Sequence, residues 1–490
     1  NGTHRQNTRS ITTLGRKSKE ISTTEIAPEP AGARVWSRRE PNLGLYMETA
    51  RRLDHKIWGI AWPAILSNIS IPLLGLVDSA ILGHLGSSKY LGAVAVGAAL
   101  LSFLYWGFSF LRMGTTGLVA RAEGAGDSYG SILVLIRSSA LALALAVLVI
   151  LLHHPLISLG LALMSPAPEL QTLAQSYAGI RIASAPAVLV TYTVVGWFIG
   201  RQNTRWPMLI VVITNGANIG LDFFLIMGLG MNSDGAALAT VIAEYLGCGV
   251  ALFAVYKQLP AIDTALLKGH LLDVSAYQQL LNSNRHLFVR TICLLFSFAF
   301  FIAQGENYGN EVLAANTLMM QLLMLAAYGM DGFAFAAEGL AGQRLGGRDL
   351  LAFERAVKRC TLWTMATALA MSLSFALLQP LLINVLTGID SVKELMSQFF
   401  PWLIVLPLLA APSYLLDGVF IGAAETRYMM STMLLSVGLV YLPLWYLFSG
   451  LGNHGLWLAF TGFNLARGVS LYYWYRRLTH EGGWLRANPT

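Results

Sequence analysis

Hydrophobic positions dominate the chain in long uninterrupted runs, such as SSALALALAVLVILL at residues 138–152. Such runs approach the length of about 20 residues that a helix needs to cross a bilayer. Helices also satisfy their own backbone hydrogen bonds in lipid. A transmembrane β-barrel would show weaker, alternating segments of about ten residues. We predict twelve membrane-spanning helices, spans 1–12, near residues 57–82, 90–121, 131–152, 170–199, 206–228, 235–257, 286–304, 311–341, 355–378, 394–421, 428–449 and 455–475.

Basic residues alternate with the predicted spans. The loops on one side hold Arg51, Arg52, Lys56, Arg121, Arg201, Arg205, Lys257, Lys268, Arg285, Arg344, Arg348, Arg355, Lys358, Arg359, Arg427, Arg476 and Arg477. The opposite loops offer only Lys89 and Lys393. Because cytoplasmic loops carry an excess of Lys and Arg, we expect both termini and the loop 258–285 to be cytoplasmic.

The chain partly matches itself at an offset of 222 residues. Tyr192, Gly196, Phe198, Thr204 and Arg205 fall on Tyr414, Gly418, Phe420, Thr426 and Arg427. Six spans return the chain to the same side of the membrane, so the two halves should be parallel copies, as in one class of transporter folds. The predicted fold class is therefore an all-α polytopic membrane protein with twelve transmembrane helices in two parallel six-helix repeats around a central cavity.

The repeat sets the expected domain boundaries. Residues 47–257 form the first lobe and residues 286–478 the second, joined by a cytoplasmic linker at 258–285 and followed by a tail at 479–490. Residues 1–46 are basic and rich in Ser and Thr, without the apolar core of a secretory signal. We interpret them as a disordered tail, a tag or an upstream extension. A transit peptide is the alternative.

Composition agrees with a membrane protein and argues against other classes. The 490 residues are 55% hydrophobic and 12% charged, whereas soluble domains carry about 25% charged residues. The net charge of +7 is spread over short loops without a basic, aromatic-rich patch, so no nucleic-acid partner is expected. Cys248, Cys293 and Cys360 lie in or beside apolar runs and suggest neither disulfides nor a zinc site.

Enzyme signatures are missing from the sequence. It contains no Walker loop, HExxH motif or G-x-S-x-G nucleophile elbow. We therefore expect a protein that is not an enzyme and has neither a cofactor nor a metal. Transport by such a protein would draw on an ion gradient, with the proton as the expected coupling ion and sodium as the alternative.

One acid interrupts the first apolar run. In IPLLGLVDSAILGHLG, residues 71–86, Asp78 is the only formally charged residue. A charged side chain at the middle of a bilayer costs about 2.5–3.5 kcal/mol on insertion scales, so such residues usually face a cavity or a partner. We predict that Asp78 is a proton or cation site. The alternative is a structural acid bonded to a Ser, Asn or Arg.

Span 5 carries a second polar group in TNGANIGLD, residues 214–222. Asn218 and Asp222 are four residues apart, so they lie on one face of a helix. Asn215 precedes Asn218 by about one turn and is a candidate to bind substrate. If spans 1 and 5 face each other, these residues form a polar cluster with Asp78. The pattern suits a proton relay or a small cation site, and a satisfied polar seam is the alternative.

Other charges fall within the predicted spans, namely Arg112, Arg181, Glu244, Arg290, Asp331, Glu338, Asp417 and Arg467. Asp331 and Asp417 are candidates either to bind a cationic substrate or to pair with an arginine. Arg112 is a substrate-site candidate or an internal counter-ion. Glu338 is expected at the membrane interface, because its predicted helix ends soon after it.

Several segments together resemble one transporter family. WPAILSNISIPLLGLVDSAILGHLG, FLRMGTTGLVARAEGAGD, YLLDGVFIGA and LGNHGLWLA resemble the multidrug and toxic compound extrusion (MATE) transporters, and more closely their DinF subfamily. The resemblance covers residues 50–485. It implies two six-helix lobes and alternating-access export against a proton or sodium gradient. It also implies cation coupling at Asp78, with Asn218 and Asp222 matching an Asn-x-x-x-Asp pair of some members.

The expected function is a secondary active multidrug exporter, a proton/drug antiporter for small cationic or amphipathic substrates. We expect a monomer in the lipid bilayer of a bacterial inner membrane. The alternative is a flippase for a lipid-linked precursor, which a large basic central cavity would favour. A channel and a membrane-embedded enzyme are further rivals.

Overall fold

The computed structural model describes residues 43–83, 88–259 and 273–485, and these ranges contain no β-strand. Helices run over Leu43–Gly83, Ser88–Gly107, Phe110–Gly124, Ser128–Leu151, His153–Met164, Pro168–Arg181, Ala185–Gly200, Arg205–Asp222, Asn232–Gln258, Val274–Glu306, Asn310–Gly346, Leu350–Leu386, Asp390–Gly422, Thr426–Leu435, Leu442–Leu447 and Asn453–His480. Phe223–Gly228 and Ser436–Tyr441 are π-helical, and Ile182–Ser184, Ser449–Leu451 and Gly483–Leu485 are 3₁₀ turns.

Eleven helical segments in the described ranges are long and apolar enough to cross a membrane. They are Ala50–Gly83, Lys89–Gly124, Ser128–Leu151, Pro168–Gly200, Arg205–Gly228, Asn232–Gln258, Val274–Glu306, Asn310–Gly346, Leu350–Leu386, Asp390–Gly422 and Thr426–Leu447, spans 1–11. Asn453–His480 is long enough but more polar, with Asn464, Arg467, Arg476 and Arg477 along it. It packs against span 10 and forms span 12. The predicted twelve-helix architecture is confirmed.

Some predicted boundaries differ from the observed helix ends. The linker expected at 258–285 is shorter, because Gln258 ends span 6 and Val274 already begins span 7. Asp273 caps span 7 by accepting a hydrogen bond from the Ser275 backbone N–H at 3.0 Å, so this helix extends beyond its apolar run. Residues 260–272 lie outside the described residues, as does the predicted extension up to residue 42, whereas the first helix begins at Leu43.

The predicted C-terminal tail at 479–490 is partly helical. Span 12 continues to His480, and the turn Gly483–Leu485 follows it. Trp484 in this turn is fully buried, and its ring packs against Phe353 and Phe420 with centroids 5.2 and 5.3 Å apart. The end of the described chain is therefore docked on the second lobe by an aromatic cluster.

The internal repeat is visible in the backbone. Gln202 and Ala424, related by the offset of 222 residues, both have positive φ, 60° and 55°. Asp127 and Asp349, related in the same way, each cap the next helix by accepting from the backbone N–H three residues later, at 2.7 and 2.9 Å. Equivalent turns thus connect equivalent spans in the two lobes.

The two lobes meet through reciprocal contacts of small residues. Gly117 of span 2 lies against the Ile421 carbonyl of span 10, and its repeat mate Gly339 of span 8 lies against the Ile199 carbonyl of span 4. A Cβ atom at either glycine would clash with that backbone oxygen. Each contact is the repeat copy of the other, as a pseudo-two-fold axis between the lobes requires.

Hydrogen bonds join the lobes at the end where spans 2, 4, 8 and 10 finish. Gln202 donates to the Gly339 carbonyl at 3.3 Å, and Arg121 donates to the Trp484 carbonyl at 3.0 Å. Ring contacts between the lobes reach toward the middle of the spans, with Phe110 and Phe288 centroids 5.6 Å apart. The structure is therefore closed at the end that carries the basic loops.

Candidate functional site

Spans 1 and 5 bring the predicted polar residues of the first lobe together. The carboxyl group of Asp78 lies within hydrogen-bonding reach of the carboxyl group of Asp222. About two turns away on both helices, Asn215 donates through Nδ2 to the Ser70 carbonyl at 3.2 Å and lies 3.3 Å from the Ser70 hydroxyl. Both spans therefore present one polar face to each other, and Asn215 joins them rather than pointing at a separate substrate site.

Asn218 connects Asp222 to span 6. With its amide oriented by its neighbours, Asn218 donates to Asp222 Oδ2 at 3.3 Å and accepts from the Thr240 backbone N–H at 3.3 Å. Thr240 was not singled out in the sequence, because a lone threonine in an apolar run carries no signal of its own. The spacing of Asn218 and Asp222 correctly placed them on one face, and both are 1% exposed.

The contact between two acids has a chemical consequence. Two ionised carboxylates repel each other strongly at this separation, whereas one protonated carboxyl group can donate to the other. Asp222 Oδ1 is buried, and no donor among the described residues forms a hydrogen bond with it. A proton shared with Asp78 would satisfy this environment, and Asp78 itself is partly exposed, so water or a ligand can reach the pair.

Arg181 acts electrostatically on Asp78, but it is already paired. Its Nη1 lies 2.6 Å from Glu244 Oε1, which joins spans 4 and 6 beside the site. Of the described cations, none forms an ion pair with Asp78 itself. The group within hydrogen-bonding reach of Asp78 is thus the carboxyl group of another acid, and the role of Asp78 as a proton or cation site stays a prediction.

Asp417 occupies a different environment in the second lobe. Arg467 Nη2 lies 2.8 Å from Asp417 Oδ2, and Arg290 donates to the same oxygen. All three side chains are at most 9% exposed. The carboxylate is therefore shared by two buried arginines, which is the second of the two alternatives considered for Asp417. Binding a cationic substrate here would require one arginine to leave.

Arg112 and Glu338 form an ion pair between the lobes. Arg112 Nη1 of span 2 lies 2.9 Å from Glu338 Oε2 of span 8, and the guanidinium also lies 4.5 Å above the Phe335 ring centroid. Glu338 is 2% exposed and lies eight residues before the end of span 8 at Gly346, so it is buried between the lobes rather than at the helix end. Arg112 is accordingly the counter-ion of Glu338.

Asp331 is the remaining substrate-site candidate. It lies in span 8, is partly exposed, and forms no hydrogen bond or ion pair with another residue of the described ranges. Arg112 and Glu338 act on it electrostatically, but each already has the other as a partner. The carboxylate of Asp331 is therefore available to a ligand in a way that Asp417 is not.

The described residues contain no group of three or more His, Cys, Asp or Glu side chains that could hold a metal ion.

Comparison with known proteins gives matches along nearly the whole chain. The family model described as MatE matches residues 63–224 and again residues 287–447, in agreement with the internal repeat. The chain is 39% identical over 440 residues to the DNA damage-inducible protein F of Escherichia coli (strain K12), which covers 89% of this chain and 94% of that protein. It is 27% identical over 212 residues to the probable multidrug resistance protein NorM of Thermotoga maritima, covering 41% of this chain and 44% of that protein.

The fold has solved counterparts. The Vibrio cholerae MATE transporter VcmN in its bent form superposes with a TM-score of 0.77, covering 90% of this chain and 100% of that chain at 20% identity. At this level of identity the likeness concerns the fold. The same arrangement of helices is thus adopted by a sequence that shares only one residue in five.

Proposed function

Because the chain belongs to the MatE family of membrane transporters, we propose that it is a secondary active exporter that exchanges protons for a small cationic or amphipathic substrate. The observation that carries the proposal is the contact between the Asp78 and Asp222 carboxyl groups. A pair of acids in this arrangement changes its net charge in steps as protons bind. An antiporter needs this property at the site where the proton and the cationic substrate compete for binding.

The orientation in the membrane follows from the basic loops. With Lys and Arg on the cytoplasmic side, both termini are cytoplasmic and the lobe contacts close the cytoplasmic end. Under this orientation the described conformation is outward-facing, and partly exposed Asp78, five residues before the end of span 1 at Gly83, is reached from outside. The natural setting of such a protein is the inner membrane of a bacterium, where it works as a monomer.

The coupling follows from charge. With one shared proton the pair of acids carries one negative charge and attracts a cation, and a second proton makes the pair neutral. Protons entering from the outside therefore weaken the hold on substrate in the outward-facing state and favour release there. Loss of a proton to the cytoplasm restores the charge for the next substrate. Exchange results because the proton and the substrate each bind the outward-facing and the inward-facing state with different affinity.

A flippase for a lipid-linked precursor receives less support. Such an anionic substrate would be bound by a large cavity with unpaired basic side chains. The buried arginines Arg112, Arg290 and Arg467 each contact a carboxylate instead. Asp331, by contrast, is an acid that has no counter-ion of its own among the described residues, and this favours a cationic substrate.

Dye efflux driven by a pH gradient tests the proposal in reconstituted vesicles. We expect Asp78→Asn to lower ΔpH-driven export at least about tenfold, the range of a coupling free energy of 1–3 kcal/mol. Asp390→Asn is the matched control, because its carboxyl group is 96% exposed and pairs only with Lys393 at the start of span 10. Coupled export at the wild-type rate by a well-folded Asp78→Asn protein would refute the proposal.

A further inference from the structure

The end of the described chain folds back against the last turn of span 12. Gly482, just after the end of that helix, has a φ of 64°, a left-handed conformation that glycine adopts without strain. The chain therefore reverses, and the short turn Gly483–Leu485 returns toward span 12. There Trp484 Nε1 donates to the Thr479 hydroxyl at 2.9 Å. We call residues 482–485 the C-terminal turn.

The side chain of Trp484 holds the C-terminal turn on the second lobe. Its ring is fully buried, and its centroid lies 5.2, 5.3 and 5.8 Å from those of Phe353, Phe420 and Tyr475. These three rings belong to spans 9, 10 and 12. A buried tryptophan contributes a large apolar contact, and here its N–H also has a partner. The backbone of Trp484 is therefore fixed relative to the second lobe.

The backbone carbonyl of Trp484 contacts the first lobe. Arg121, in the last turn of span 2, donates to it through Nη2 at 3.0 Å. The carbonyl of Arg121 itself lies against Gly346 of span 8, where a Cβ atom would clash with it. Glu425, in the turn between spans 10 and 11, attracts the guanidinium group electrostatically. Arg121 thus reaches from the first lobe to three parts of the second.

We propose that the C-terminal turn and Arg121 form a latch that keeps this end of the molecule closed. The inference rests on the proposed function in one respect, because an exporter with alternating access must open this end to load substrate from the cytoplasm. Opening separates span 2 from the second lobe, so Arg121 loses both the Trp484 carbonyl and the attraction of Glu425. Hydrogen bonds from a charged donor are stronger than those between neutral groups. The latch therefore favours the outward-facing state, and none of its residues belongs to the polar cluster around Asp78.

Distances between spin labels on the two lobes test the latch in the full-length chain. The labels are attached at Lys257→Cys in span 6 and Lys358→Cys in span 9, two exposed positions, after the three native cysteines have been replaced by alanine. Electron–electron double resonance then gives the ratio of the open, long-distance population to the closed, short-distance population. We expect Arg121→Met to raise this ratio at least about tenfold, the effect of losing a hydrogen bond from a charged donor.

Variants of Trp484 show whether Arg121 acts through the C-terminal turn. Trp484→Ala removes the ring that holds the turn, so it should raise the ratio by a similar factor. The double variant Arg121→Met/Trp484→Ala should raise the ratio no further than the larger single effect, because both changes break the same contact. Arg121→Lys and Trp484→Phe should give smaller changes in the same direction, and they take the place of a stronger variant that does not fold.

Arg201→Met is the matched control. Arg201 directly follows span 4 on the same side of the molecule, but its contacts lie within the first lobe. Its Nε is 3.2 Å from Glu123 Oε1, and its guanidinium lies 4.4 Å from the Trp197 ring centroid. Its removal should therefore leave the ratio unchanged.

Three results would overturn the latch. They are an unchanged ratio in the folded variants of Arg121, an equal rise in Arg201→Met, and a double variant in which the two single effects multiply. The measured distances depend on neither the coupling ion nor the substrate. Failure of the latch is therefore distinguishable from failure of proton-driven dye export.

Discussion

The carboxyl groups of Asp78 in span 1 and Asp222 in span 5 lie within hydrogen-bonding reach of each other. Asparagine at position 222 can donate to Asp78 permanently and so imitates a pair that never loses its shared proton. We predict that Asp222→Asn binds a cationic dye about as tightly as the wild type at neutral pH, because both carry one negative charge at this site. Its affinity should not rise further at alkaline pH, where loss of the shared proton gives the wild-type pair a second negative charge.

The readout for Asp222→Asn is dye affinity by fluorescence polarisation between pH 5 and 9. Asp390→Asn serves again as the exposed control and should keep the wild-type pH profile. If dye affinity in Asp222→Asn rises with pH as steeply as in the wild type, the pair of acids does not control substrate binding.

The ion pair between Arg112 and Glu338 should matter mainly for stability. Breaking a buried pair leaves an uncompensated charge, which costs about 3–5 kcal/mol. Arg112 and Glu338 are only 14% and 2% exposed, so we expect Glu338→Gln to unfold at a clearly lower temperature. The double variant Arg112→Met/Glu338→Met should recover most of the loss, because it removes both charges. A double variant less stable than Glu338→Gln would contradict this reading of the pair.

Asp331 and Asp417 should respond in opposite ways to the same substitution. Asp417→Asn leaves Arg290 and Arg467 without their shared partner, so we predict a loss of about 3–5 kcal/mol in stability. Asp331→Asn removes a carboxylate with no ion pair among the described residues, so it should unfold near the wild-type temperature but bind a cationic dye more weakly. Thermal unfolding and dye titration of both variants decide the matter. Normal dye binding by Asp331→Asn would exclude it from the substrate site.

Glu425, in the turn between spans 10 and 11, gives a prediction about pH. Burial of its side chain, which is 3% exposed, raises its pKa above the ordinary 4.5, although Arg427 and Arg121 oppose this. A carboxyl group with a raised pKa in the folded state stabilises fully below its unfolded pKa, and this contribution is lost as the pH rises through the folded pKa. Glu425→Gln should therefore unfold at a higher temperature than the wild type at pH 7.5, and the difference should vanish toward pH 4.5.

Asp273 should change the stability of the protein with pH in the direction opposite to Glu425. Hydrogen bonds from Ser275 lower the pKa of this exposed carboxyl group below 3.8, so its stabilisation is present above the unfolded pKa and is lost as the pH falls through the folded one. Asp273→Asn should accordingly unfold at a slightly lower temperature at pH 7.5. The unfolding temperatures of Glu425→Gln and Asp273→Asn, each compared with the wild type from pH 4 to 8, measure the two effects. If both variants raise or both lower the unfolding temperature at pH 7.5, the causes given for the two pKa shifts are wrong.

The sequence predicted those features that depend on local pattern. The length of the apolar runs predicted twelve spans, the offset of 222 residues predicted the two lobes, and the four-residue spacing placed Asn218 and Asp222 on one helix face. Helix ends were less predictable, because Asp273 starts span 7 well before its apolar run begins. Span 12 was predicted near residues 455–475, and it is more polar than the other spans because it packs against span 10.

Partners across the fold could not be read from the sequence. Three contacts depend on how the spans rotate against each other, which no local sequence pattern encodes. They are Asp78 with Asp222, Asp417 with Arg290 and Arg467, and Glu338 with Arg112. The repeat gave no help here, because its register places Ala334 opposite Arg112 and leaves Asp78 without an acidic counterpart in span 7. Charged pairs are thus the part of the fold in which the two lobes have diverged.

Proton release on substrate binding tests the central claim most directly. Purified protein in weakly buffered solution at pH 7.5 is mixed with a cationic dye, and the pH change is recorded with and without sodium. The account predicts release of up to one proton for each dye bound, independent of sodium, and no release from Asp78→Asn that still binds dye. Dye binding by the wild type without proton release, or release of the same size from Asp78→Asn, would contradict it.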